Sequence, residues 1–432
     1  MCYNIECVAS RILFPWETTD SGMYFQISLR KGYLMVEIAI LGFGVVGSGT
    51  AEVLTENKAL IEERIGCRYH IRYILDLREF PDSPFASRIV HDFNIILNDP
   101  EVSVVAEMMG GAHPAYDFTK ACLEAGKSVV TSNKEVVSTF GDELCRIARE
   151  HGARYLFEAS VGGGIPVIRP MINDLCSNRI RRISGILNGT TNYILTSMRD
   201  AGTSFADALH EAQHRGYAEA NPAADINGID SARKIAILAA LATGKLADPT
   251  VIHTEGISAI TTDDVNFAGL FGYTVKLIAY AEALDDDRLL TFVAPRLVPL
   301  SNPLSRIDDV FNGILICANM VGEVMFYGPG AGKLPTASAV VADIIDAIMN
   351  PADKAKPIVW TRAQAKELAD FSTYSCRRML VFRNEVPAEF SGLDTRRIGD
   401  SVAVLTTAAT EEQTDSWKQT YGDALLSAYR VL

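Results

Sequence analysis

Asp230 and Lys234 stand four residues apart, so an acid and an amine would share one face of any helix built there. On an exposed helix such a pair is a salt bridge contributing about 0.3–0.5 kcal/mol. Here the following turns, Ile235-Ala236-Ile237-Leu238-Ala239-Ala240-Leu241, are apolar nearly all round. That pattern predicts a buried helix from Ile229 to Thr243, stopped by Gly244. A charged pair at the start of a buried helix points to function, because burial perturbs both groups. Two further carboxylates precede it: Glu219 within Gly216-Tyr217-Ala218-Glu219-Ala220-Asn221-Pro222, and then Asp225. An amine among carboxylates can hold a polar substrate and move a proton.

The second chemical feature is a glycine turn, Gly42-Phe43-Gly44-Val45-Val46-Gly47. The apolar strand Val36-Glu37-Ile38-Ala39-Ile40-Leu41 leads into it and Ser48 to Leu54 reads as a helix beyond it, which is the context a dinucleotide site needs. The first glycine allows the tight turn, the second admits the pyrophosphate close to the backbone, and the third lets helix and strand pack. The phosphates then meet the free N–H groups of the helix N-terminus. The next predicted strand, 69–75, ends in Asp76, further from Gly47 than the usual interval of roughly 20 residues. An acid there binds the ribose hydroxyls and favours NAD, whereas Arg78 would accept the 2′-phosphate of NADP. The two cues conflict, and the preference stays open with Asp76 weighing slightly more.

Strand and helix patterns keep alternating. A strand at 102–106 runs into Glu107-Met108-Met109-Gly110-Gly111, a helix follows at 114–124, and a strand at 127–131 ends in Ser132-Asn133-Lys134. Ligands of open α/β sheets bind at the carboxyl ends of strands, so Gly110 and Lys134 fall on the functional edge. A lysine at a strand end is usually a solvated charge, but beside the nicotinamide a functional role carries at least equal weight. Glu158 precedes Val161-Gly162-Gly163-Gly164-Ile165-Pro166. That run is either a flexible domain connection or a set of backbone carbonyls turned toward a cation, with Glu158 adding charge. The polar run Asn188-Gly189-Thr190-Thr191-Asn192 between apolar residues suits a helix start. Backbone capping and substrate binding explain it equally well.

A chain of 432 residues leaves room for two or three domains of roughly 100–200 residues to position these groups. The net charge of −13 offers no basic footprint for nucleic acid. Eight cysteines without a CxxC pair suit neither a zinc site nor a disulfide framework, so reduced thiols and a cytoplasmic location are expected. No apolar run approaches the roughly 18–20 residues that span a bilayer, so no membrane role is expected. Residues 1–34 lack both a steady period and a signal-peptide core. They are expected to be a disordered extension, unless Met35 is the true start, which an intact mass would decide.

Taken in order, GFGVVG, TSNK, EASVGGGIP, LNGTTNYIL, GYAEANPAAD, GIDSARK and GPGAGKLPTASAV (328–340) make the chain resemble homoserine dehydrogenase over about residues 35–350. The resemblance implies NAD- or NADP-dependent interconversion of L-homoserine and L-aspartate 4-semialdehyde, within threonine, methionine and isoleucine biosynthesis. It implies that Lys234 is the proton donor and acceptor, that Lys134 orients the substrate and polarises its oxygen, and that Asp230 supports them. Glu219 then holds the substrate ammonium, with Asp225 as another pocket acid and Thr190 lining the pocket. It also implies a monovalent cation, sodium or potassium, on Glu158 and the carbonyls of Val161, Gly163 and Ile165, and a cofactor contact at Gly332. The loop at Gly332 is not a P-loop, since Tyr327 and Leu334 occupy positions that motif reserves for Gly and Ser or Thr. A homodimer or homotetramer is expected.

The expected fold is a Rossmann-type α/β domain over 35–170, completed by about 325–350, with an α+β substrate and dimerisation domain over 171–324. A small α+β tail over 353–432 has a strand–strand–helix–strand outline compatible with a diverged ACT-like domain, although the ligand-binding glycine turn of such domains is missing. Two rival readings were weighed. Aspartate-semialdehyde dehydrogenase needs a nucleophilic cysteine, and Cys122 and Cys145 fall within predicted helices of the cofactor half. A non-catalytic NAD-binding regulator would have no reason to hold both lysines beside the pocket acids.

Overall fold

The computed structural model describes residues 35–432, which form one compact unit; the extension expected over 1–34 lies outside the described residues. The chain opens with β1 (Met35–Leu41), α1 (Val45–Glu56), α2 (Lys58–Ile65), β2 (Arg68–Leu75), β3 (Ile89–Val90), α3 (Phe93–Leu97), β4 (Val102–Glu107), α4 (Ala115–Glu124), β5 (Ser128–Thr131), α5 (Lys134–Glu150) and β6 (Tyr155–Leu156). The six strands are all parallel in the order β3-β2-β1-β4-β5-β6. Winding reverses between β1 and β4, so a crevice opens there at the carboxyl edge. Ile38 to Leu41 are fully buried because helices cover both faces of the sheet.

Beyond β6 come α6 (Ile168–Asn173), β7 (Ile180–Ile186), α7 (Gly189–Ala201), α8 (Phe205–His214), α9 (Ala223–Ile226) and α10 (Ile229–Thr243). Next are β8 (Lys245–Leu246), β9 (His253–Thr254), α11 (Thr262–Leu270), β10 (Tyr273–Ala283), β11 (Leu289–Pro299), β12 (Phe311–Ala318), β13 (Gly322–Pro329) and α12 (Lys333–Met349). The alternating residues of β10 and β11 pair without a break from Tyr273–Pro299 to Ala283–Leu289. α10 lies on this antiparallel sheet, and Ile235 to Ala240 are wholly buried, as the apolar run requires. α12 returns to the parallel sheet, where Val340 and Ile344 pack among residues of β1, β2 and β4.

The tail supplies β14 (Thr361–Arg362), β15 (Ser375–Arg383), β16 (Thr395–Ile398), β17 (Ser401–Thr410), α13 (Glu411–Tyr421) and β18 (Leu425–Val431). β14 pairs with β8, and the other tail strands continue the antiparallel sheet in the order β13-β12-β7-β10-β11-β18-β15-β17-β16, joined where β18 runs parallel to β11. Arg378 and Arg430 are buried near this join, and Glu411 accepts from both. Pairing makes such burial tolerable. The helix at 229–243 has the predicted bounds. α12 accommodates Pro335 because it falls in the first turn, where no N–H donor is needed.

Candidate active site

The first turns of α10 and α5 meet, which brings together lysines from opposite halves of the chain. Lys134 is the first residue of α5, and Asn133 caps that helix by accepting from Val136 N–H. Asp230 lies in the first turn of α10 and is buried. Its Oδ2 accepts from Lys234 Nζ at 2.7 Å, and its Oδ1 lies 2.8 Å from Lys134 Nζ. The two lysines thus pair with different oxygens of one carboxylate. Lys234 also donates to Leu187 O at 2.7 Å. Burial would raise the Asp230 carboxyl, but the charges of Lys234 and Lys134 outweigh it and hold the group well below the ordinary range. Burial lowers Lys234 despite Asp230, whereas for Lys134 the Asp230 charge outweighs burial and the amine is raised.

Asn188 completes the cluster. Its Oδ1 accepts from Thr191 N–H and caps α7, while its Nδ2 donates to Asp225 Oδ1 at 2.7 Å and Asp230 Oδ2 at 3.0 Å. The polar run at 188–192 therefore both caps a helix and orders the pocket acids. Thr190 donates to Tyr217 O at 2.6 Å and lies 3.3 Å from Asp225 Oδ2. Burial raises Asp225, and the charge on Asp230 adds to the effect.

The glycine turn has the shape a pyrophosphate needs. Gly42 has φ +89°, and a Cβ on Gly47 would stand 1.9 Å from Gly42 O, while above Gly44 nothing lies within 4 Å. α1 begins without a side-chain cap or an acid in its first turn, so its N–H groups remain available to an anion. Val45 and Val46 open that helix. Gly332 precedes α12, which packs alongside: a Cβ on Gly49 would meet Lys333 at 2.9 Å. Asp76 Oδ2 accepts from Phe43 N–H at 2.8 Å, and Arg78 clasps both carboxylate oxygens at 3.0 Å. The hydrogen bonds from Arg78, chiefly, hold Asp76 well below the ordinary range.

Two family models match the chain: the homoserine dehydrogenase NAD-binding domain over residues 42–158 and homoserine dehydrogenase over 166–345. The homoserine dehydrogenase of Synechocystis sp. is 41% identical over 73% of this chain and 74% of its own length, and that of Bacillus subtilis is 39% identical over 73% of each. The chain belongs to the homoserine dehydrogenase family. It is an NAD(P)-dependent oxidoreductase with a Rossmann-type domain and a mixed-sheet domain. A crystal structure of the Thiobacillus denitrificans homoserine dehydrogenase superimposes with a TM-score of 0.83 at 32% identity, covering 92% of this chain and 98% of that one. A hyperthermophilic archaeal homoserine dehydrogenase in complex with NADPH superimposes at 0.64 and 28% identity, over 75% of this chain and 99% of that one.

Both carboxylate oxygens of buried Glu158 serve the start of α6: Oε1 accepts from Val167 and Ile168 N–H, and Oε2 from Arg169 N–H. Val161, Gly163 and Ile165 are buried residues, and their carbonyls accept no hydrogen bond among the described residues. Hard cations take oxygen donors of that kind, so this donor set fits one. Glu219 lies exposed on the loop between α8 and α9, where its backbone carbonyl accepts from Gln213. Sequence reasoning missed Asn188 as a site residue; the signal was a helix-capping asparagine beside a glycine. Cys122 and Cys145 are buried in α4 and α5, and burial pushes the Cys122 thiol up to about 12, which disfavours a thiolate nucleophile. No helix among the described residues is long and apolar enough to cross a membrane.

Proposed function

We propose that the protein interconverts L-homoserine and L-aspartate 4-semialdehyde, with Lys234 moving the proton and Lys134 polarising the reacting oxygen. The observation that carries this reading is one carboxylate, Asp230, held between two lysines at 2.7 and 2.8 Å beside the carboxyl edge of the parallel sheet. Bound NAD(P) supplies the hydride donor or acceptor for substrate C4. In reduction, oxygen gains alkoxide character and Lys234 Nζ–H gives it a proton. In oxidation the neutral amine takes that proton back. Because burial lowers Lys234, the oxidative rate should rise with pH through an inflection below the ordinary lysine value of about 10.4. Asp230 keeps both amines near the reacting oxygen. Glu219, Asp225 and Thr190 would bind the amino-acid end, Glu219 from its exposed loop position outside the buried cluster.

The glycine turn, Gly110, Lys134 and Gly332 would hold the dinucleotide, with Asp76 and Arg78 meeting the adenosine ribose. Since Arg78 already occupies Asp76, the exposed guanidinium supports acceptance of a 2′-phosphate. A sodium or potassium ion would sit on the carbonyls of Val161, Gly163 and Ile165 near Glu158. Domains over 35–170 with 325–350, 171–324 and 353–432 are part of the same proposal. A homodimer is supported by exposed Met320, Val321, Met325 and Tyr327 on and beside the edge strand β13. The test is a spectrophotometric assay with homoserine and either cofactor. Lys234→Ala should lose most turnover and still bind cofactor; near-normal turnover would remove Lys234 from its role.

A further inference from the structure

Glu107 ends β4 with its side chain wholly buried, and neither the lysine–aspartate cluster nor the glycine turn uses its carboxylate. Its Oε1 accepts from Met109 N–H at 2.7 Å and its Oε2 from the Thr131 hydroxyl at 2.6 Å. Thr131 Oγ1 in turn accepts from Asn133 N–H at 2.9 Å. The Asn133 amide donates to Gly111 O at 2.8 Å and Met109 O at 3.3 Å. One carboxylate thus ties the loop after β4, which carries Gly110, to the loop after β5, which leads straight into Lys134. The β4 loop also buttresses the glycine turn: Met108 N–H donates to Leu41 O at 2.8 Å, and a Cβ on Gly42 would lie 3.0 Å from Met108 O.

An acid is an unfavourable choice at such a place. Burial pushes the Glu107 carboxyl up to about 7, and only hydrogen bonds from Thr131, Met109 and Asn133 oppose it. A buried acid without a cationic partner destabilises a core relative to an apolar side chain of similar size. What it gains is one hydrogen bond to the loop after β4 and one to the last residue of β5, which holds Asn133 in turn.

We propose that Glu107 is a positioning residue for the nicotinamide half of the cofactor site, fixing the Gly110 loop and the Lys134 loop at their working separation. The inference rests on the reading of the site given above. It predicts a defect confined to the nicotinamide end of the dinucleotide. Full-length Glu107→Ala, Thr131→Val and Glu107→Gln should be compared with wild type for the dissociation constants of NADPH and of 2′-phospho-ADP-ribose, which lacks the nicotinamide.

Glu107→Ala and Thr131→Val each remove two of these buried hydrogen bonds, which should weaken NADPH about tenfold. Binding of 2′-phospho-ADP-ribose should stay within about twofold of wild type. Glu107→Gln keeps an acceptor for Met109 and a polar partner for Thr131, so it should recover most of the loss. Equal weakening of both ligands, or unchanged NADPH binding, would overturn the proposal. Should Glu107→Ala fail to fold, Thr131→Val makes the same comparison, because valine matches threonine in shape. A wild type that binds NADPH but ignores homoserine would count against the proposed activity and leave the binding comparison standing.

Discussion

Asp230→Asn removes a charge from the cluster while keeping its shape. Asp230 and Lys234 are nearly sealed from solvent, at 6% and 10% side-chain exposure, whereas Lys134 is 41% exposed. Breaking a buried pair by removing one partner costs about 3–5 kcal/mol. The Lys134 contact, screened by solvent, adds about 0–1 kcal/mol. In the variant Lys234 would face burial and the Lys134 charge with Asp225 as the nearest remaining acid, so its amine would fall further below the ordinary lysine range. Reduction of the semialdehyde needs that amine protonated. If the lower bound of about 3 kcal/mol falls on the transition state, kcat for reduction drops about 100-fold at neutral pH. The alkaline limb of its pH profile also moves toward acid. Steady-state oxidation of the reduced cofactor, followed across pH, measures both effects. A reduction kcat within about threefold of wild type, with an unmoved profile, would refute the assignment of Asp230 as the group that keeps Lys234 charged.

Arg78→Ala frees the Asp76 carboxylate for the ribose hydroxyls and removes the exposed guanidinium, so KM for NADP should rise while KM for NAD holds or falls; parallel changes for both cofactors would contradict this reading. Glu107 and Asp343 are buried acids each pushed up to about 7, chiefly by burial. Their raised values give stability that is complete below the ordinary carboxyl range near 4.3 and is lost as pH rises through about 7. Urea midpoints should therefore fall between about pH 5 and 8, and Glu107→Gln should flatten part of that slope; an identical slope would show that Glu107 does not titrate there. Met325→Glu on the edge strand β13 should shift the protein toward monomer in sedimentation, with little change in thermal stability of the monomer; an unchanged sedimentation coefficient would place the contact elsewhere.

Local chemistry was legible in the sequence wherever neighbouring residues impose it. Glycines at 42, 44 and 47 read as a phosphate turn because each answers a steric demand made within a few residues. α10 read to its bounds because its apolar run, Gly228 before it and Gly244 after it are all local signals. Pairings between distant segments could not be read that way. Nothing near Lys134 announces that Asp230 will lie 2.8 Å away, or that Asn188 will donate to two acids from another helix. Asp76 read as a ribose ligand, yet folding left it clasped by Arg78 and the Phe43 N–H, a competition settled by side-chain geometry. Glu158 likewise read as a charge for a cation, and folding turned it onto the three N–H groups that open α6. The tail's strands were legible as strands, but their attachment to β11 depends on which sheet edge lies open once the sheet has formed. The sequence alone determined the cofactor turn, the buried lysine helix and the family. Tertiary structure decided which carboxylate serves which amine, because contacts between segments form only when packing removes water and leaves each buried polar group a partner to find.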